Sequence, residues 1–120
     1  MSDEVYTPDN LIADNSFPIT TEVVTIKKGE VLKRGAVLGK DKDGKYLLSK
    51  SDADDGSQVP KRILFEDVDA TASDTQAIVY KSGVFNANSL TIGADHTAES
   101  IKDDLWIQGI EIRTNSVKGE

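Results

Sequence analysis

Two short apolar runs separated by a glycine-containing break, Ile78-Val79-Tyr80 and Val84-Phe85, constrain this chain more than any other feature. β-Branched and aromatic side chains of this kind suit a pleated, half-buried surface. Lys81-Ser82-Gly83 interrupts them, and Gly83 reaches φ > 0 without steric cost, as a two- or three-residue hairpin loop requires. The pattern predicts strand, tight turn and strand over residues 78–86. Asn86, Asn88 and Ser89 break the apolar surface, and Leu90-Thr91-Ile92 resumes it before Gly93. Two strands alone are marginal in water, so the rest of the chain must supply a surface for this unit to pack on.

That surface is strand-rich as well. Thr21–Ile26 reads as a strand ended by Lys27-Lys28-Gly29, and Gly35 and Gly39 bracket another over Ala36–Leu38. Asp41–Lys45 carries Asp43-Gly44, the strongest local turn signal, and Tyr46-Leu47-Leu48 pairs back. Together these predict a β-meander over 21–49. Residues 49–58 form an acidic surface loop, Ile63-Leu64-Phe65 a short buried strand, and 66–74 an irregular connection of poor β-propensity. One helix is predicted after Asp95 or Thr97 as N-cap, with Glu99 in its first turn and Gly109 as its left-handed C-terminal residue. Its inner face holds Ala98, Ile101, Leu105 and Gln108, and Lys102, Asp103 and Asp104 face water. Ile110-Glu111-Ile112-Arg113 alternates as a last strand, and 114–120 is a polar tail.

The 120 residues make one domain, yet apolar residues amount to only 38%. A core this lean implies either disordered ends or burial completed by partner subunits. Residues 1–18 are polar and turn-rich, with Val5, Tyr6, Leu11, Ile12 and Phe17 as scattered apolar side chains. They read either as a disordered tail or as an extended arm that adds a strand to a neighbour's sheet edge. Fourteen basic against 21 acidic side chains give a net charge of −7, a field that repels phosphate backbones and anionic membranes. No run approaches the ~20 apolar residues of a membrane span. The start Met-Ser-Asp-Glu-Val-Tyr lacks the features of a secretory signal. The absence of cysteine excludes disulfides, thiolate zinc sites and cysteine nucleophiles.

The chemistry-bearing residues form no catalytic pattern. The single histidine, His96, stands at the helix start and is expected to serve the cap. No Gly-x-Ser-x-Gly elbow and no glycine-rich phosphate cradle occurs. Asp52, Asp54 and Asp55 precede Gly56, but a calcium loop counted from that glycine has Ser51 at position one and Arg62 at position twelve. No metal, cofactor or catalytic residue is expected. Lys27, Lys28, Lys33 and Arg34 form the densest basic cluster, either a solvated turn or a contact for an acidic partner. Trp106, between Leu105 and Ile107, suits a subunit interface or ordinary packing, with one of the three side chains turned outward.

Four segments, taken in order, carry a resemblance: Val31–Lys40 with Gly44–Ser49, Leu64–Ala70, Val79–Asn86, and His96-Thr97-Ala98 leading to Gly109-Ile110. Over roughly residues 17–113 they resemble the head decoration proteins of lambda-like tailed bacteriophages, with Tyr80–Phe85 the clearest shared piece. The resemblance implies a mainly β domain with one short helix, a meander or partial barrel, and an extended N-terminal arm. It implies a non-enzymatic homotrimer on the outer surface of the virion, made in the host cytoplasm. Such a trimer binds the major capsid protein of the expanded shell at three-fold and quasi-three-fold positions and resists the pressure of packaged DNA. It touches neither nucleic acid nor membrane. The expected layout is a capsid-binding arm over 1–16, a β-rich domain over 17–113 and a tail over 114–120. Capsid contact is expected from Val5, Tyr6, Thr7, Pro8, Leu11, Ile12 and Phe17, and trimer contact from Trp106, Tyr80 and Phe85. The competing expectation is a monomeric module that recognises a carbohydrate or a basic peptide through its acidic loops.

Overall fold

A computed structural model describes residues 11–13, 18–93 and 96–113. In chain order it holds β1 (Thr20–Ile26), β2 (Val31–Leu32), β3 (Val37–Lys40), β4 (Tyr46–Leu48), β5 (Pro60–Leu64), β6 (Val68–Asp69), β7 (Thr75–Asn86), α1 (Ala98–Gln108) and β8 (Ile110–Arg113). The main sheet runs β1-β4-β3-β5-β7-β8, and β7 also pairs with β1. The first five strands of that order therefore close into a barrel, with β8 added outside along β7. Closure leaves the barrel proper without unpaired edges.

Residues 78–86 do not form the predicted hairpin. They lie within β7, a continuous strand of 12 residues. Gly83 has a positive φ of 146°, but it bends the strand instead of reversing it. The bend is where β7 changes partners. Thr75–Ser82 run antiparallel to β1, and Gly83–Asn86 run parallel to β8. A Cβ at Gly83 would also sit 2.9 Å from Phe85 Cζ, so both backbone and packing demand glycine there.

The predicted meander over 21–49 survives only as the β3–β4 hairpin, where Gly44 has φ 83°. β1 meets β4 in parallel and β7 antiparallel, while β2 leaves the barrel to pair with β6. The 66–74 connection thus contains a short strand, carried by Val68, which is buried against the barrel core. The 49–58 loop is held at both ends: Ser49 and Ser57 are fully buried.

Strand alternation builds two cores, one on each side of the barrel wall. Leu38, Leu64 and Val79 join Ile26, Tyr46 and Ala77 in the first. Their chain neighbours Val37, Ile63 and Tyr80 join Phe85, Ile110 and Ile112 in the second, beneath Ile101 and Leu105 of α1. The helix forms as predicted at both ends. Thr97 accepts a bond from the Ser100 N–H in a capping box, and Gly109 is left-handed at φ 99°.

Candidate assembly surface

The predicted arm residues divide. Val5, Tyr6, Thr7, Pro8 and Phe17 lie outside the described residues, as does the alternative cap Asp95. Leu11 is only 1% exposed and belongs to the core beneath α1, with Ile12 packed against it. The Ala13 N–H donates to the Val84 carbonyl at 2.8 Å, and the Asn86 N–H to the Leu11 carbonyl at 2.9 Å. Ile12 bridges Phe85 antiparallel. Residues 11–13 thus add to a sheet edge, but the edge is that of their own β7. Sparse apolar composition gave no hint that Leu11 fills the chain's own core.

Register fixes where the chain leaves this sheet. Residues 13 to 11 climb from Val84 toward Asn86, and β8 climbs alongside from Gly83↔Ile110 to Asn86↔Arg113. Leu11 and Arg113 therefore both lie at the Asn86 end of β7.

Of the three predicted interface side chains, two face inward. Tyr80 is 3% exposed and Phe85 0%. Their rings meet edge-on at 4.9 Å, and Phe65 meets Tyr80 at 5.1 Å. The Arg34 guanidinium lies 5.6 Å over both Phe65 and Tyr80 and donates to the Tyr80 hydroxyl at 2.8 Å. These aromatics bind the chain to itself, a role that strand propensity cannot separate from interface packing. Trp106 does face outward, 65% exposed, and so does Ile107 at 77%. Leu105 alone of the three turns in. Trp106 lines a pocket of about 360 Å³ together with Pro18, Ser82, Gly83, Val84, Gly109 and Glu111.

The polar groups serve the scaffold. His96 Nδ1 lies 2.9 Å from Ser100 Oγ, and its Nε2 lies 3.2 Å from Ser49 Oγ and 3.0 Å from the Gln58 carbonyl. It ties the helix cap to both ends of the acidic loop. Arg62 donates from Nε to Glu22 at 2.6 Å and from a terminal nitrogen to Gln108 at 3.1 Å, joining β5, β1 and the end of α1. In the basic cluster, Lys27 pairs with Asp41 at 3.4 Å and Lys33 with Asp67 at 4.0 Å. The Ser57 hydroxyl and N–H hold the Asp55 carboxyl below its ordinary range, and Thr71 does the same for Asp69. These carboxylates stabilise turns. Among the described residues no group of three or more His, Asp or Glu side chains is placed to hold a metal ion. No described helix is long and apolar enough to cross a membrane.

The sequence model of one protein family, described as Bacteriophage lambda head decoration protein D, matches residues 1–106. The match takes in the N-terminal segment and the whole barrel and stops at Trp106, before β8. None of the curated proteins matches the chain.

Proposed function

This chain belongs to the bacteriophage lambda head decoration protein D family, and from that premise we propose that it acts as a homotrimer clipped to the expanded shell at three-fold and quasi-three-fold positions. The family is one of structural proteins of the phage head, so association with a capsid follows directly. In the proposed role the trimer is made in the host cytoplasm, binds the major capsid protein and braces it against the pressure of packaged DNA. The family match over 1–106 carries the reading.

Two features of the fold support it. The closed barrel gives a stiff body whose own strands are paired. Leu11 is anchored in the core and would give the proposed arm a fixed root. Three such arms on one trimer gain avidity without a strong single contact. Among the expected trimer residues Trp106 is the one with an exposed side chain, and we assign the subunit contact to its surroundings.

The test is co-sedimentation with empty expanded shells, imaged by negative stain. Full-length protein is expected to decorate the shells, and a variant lacking residues 1–10 to fold but bind weakly. Equal decoration by both would overturn the role of the arm. No decoration by either would overturn the capsid reading. Analytical ultracentrifugation should give about 39 kDa, three chains of 13.0 kDa. A species at 13.0 kDa that binds glycans or basic peptides would favour the monomeric module.

A further inference from the structure

We infer that residues 1–10 have a docking place on their own body, the open edge of β2, along which they lie as a parallel strand. The inference rests on the arm role proposed above in one respect only: a docked arm is one held away from the shell.

β2 is paired on one side. Among the described residues its partner is β6, in a two-stranded sheet apart from the barrel. Such an edge offers backbone donors and acceptors to an added strand. Val31 on it is 62% exposed. The root of the arm touches the chain just after this edge. Leu11 is buried, and a Cβ on Gly35 would sit 3.6 Å from Leu11 Cδ1.

That contact sets a register, because extended chains advance by equal steps per residue. Run back in step from Leu11 and Gly35, the two segments place Asp9 against Lys33, Thr7 against Val31, Glu4 against Lys28 and Asp3 against Lys27. Every acid of residues 1–10 meets a lysine, and no two like charges fall together. Lys28 is exposed, and the Lys33 side chain is 79% open to solvent. The acids already near β2 are engaged within the body. Glu30 accepts the Leu48 N–H, Asp67 the Arg34 N–H, and Asp69 the hydroxyl and N–H of Thr71. Val5-Tyr6-Thr7 has strand-forming composition, and Pro8 biases Thr7 toward extended backbone. The arm is tethered at Leu11, so it reaches this edge at an effective concentration no separate chain attains.

The experiment is paramagnetic relaxation enhancement on the full chain. The native sequence has no cysteine, so Ser2→Cys carries a single nitroxide label near the tip of the arm. At low salt the label is expected to broaden the amide signals of Ile26 to Glu30 and of Ala70. In about 0.5 M salt, which screens charges beyond a few ångströms, the signals should sharpen. Glu4→Lys with Asp9→Lys should abolish the broadening, and adding Lys28→Glu with Lys33→Glu should restore it. Broadening that is absent, that centres elsewhere or that survives reversal of the arm charges overturns the docking. If the fourfold variant fails to fold, salt and the arm variant decide. No shell is present in this measurement, so its failure leaves the capsid reading untouched. With empty shells, Lys28→Glu with Lys33→Glu keeps a native but undocked arm. It should reach half-decoration at a concentration about threefold or more below wild type. An equal or higher concentration overturns the holding role, and no decoration by either protein overturns the capsid reading.

Discussion

Gly39 and Gly93 clamp the acidic loop to the barrel. A Cβ on either would fall 2.0 Å from a backbone oxygen, that of Ser57 for Gly39 and that of Ser49 for Gly93. Neither oxygen belongs to a side chain that can rotate away. Gly39→Ala should therefore cost about 3 kcal/mol or more, the scale of an overpacked core site. At Gly29, by contrast, an added Cβ meets nothing within 4 Å, and only the φ of 100° opposes it. Gly29→Ala should cost about 1–2 kcal/mol. Urea denaturation of the two variants checks the order. Asp41 gives a second residue-scale prediction. Its side chain is 3% exposed, and it accepts the N–H groups of Asp43 at 2.9 Å and Lys45 at 3.0 Å. Burial pushes its carboxyl up, but those two N–H groups and the Lys27 ammonium outweigh burial and hold it below the usual carboxylate range. A depressed folded-state value means stability present above the unfolded-state value of about 3.9 and lost as pH falls through the folded one. Asp41→Asn should lose about 1–2 kcal/mol at pH 7. The gap from wild type should close in thermal melts taken from about pH 5 down to about pH 2.

At the scale of elements, α1 was legible because its signals are local. Thr97 and Gly109 bracket it, and Ile101 and Leu105 mark its buried face. Removing the cap in Thr97→Ala should cost about 1 kcal/mol, read as a lower melting temperature with the barrel intact. The 41–45 hairpin was legible for the same reason, since Asp43-Gly44 requires a turn whatever surrounds it. β7 was not. A glycine between two apolar runs signals a positive φ, and Gly83 has one, but a bent strand uses that freedom as readily as a turn does. The difference lies in long-range partners, β1 on one side of the bend and β8 beyond it. β6 was hidden too, because its pairing with β2 overrides the weak propensity of 66–74. The candidate surface divides likewise. Trp106 keeps its side chain outward, while Tyr80 and Phe85, equally aromatic, are internal, a difference that residue type alone does not carry.

At the scale of the molecule, two cores share one wall, and residues 11–13 belong to the outer one. Leu11, at 1% exposure, makes this segment part of the body. Deleting residues 1–10 should change stability little. Deleting 1–13 should cost about 2–5 kcal/mol, because a buried leucine and two backbone bonds go together. Chemical denaturation of the two truncations checks this, and only the shorter one separates attachment from folding. That Leu11 and Arg113 both lie at the Asn86 end of β7 has a practical side. A partner domain joined directly at Leu11 and one joined directly at Arg113 would meet the body side by side, so the two junctions would compete for the same space.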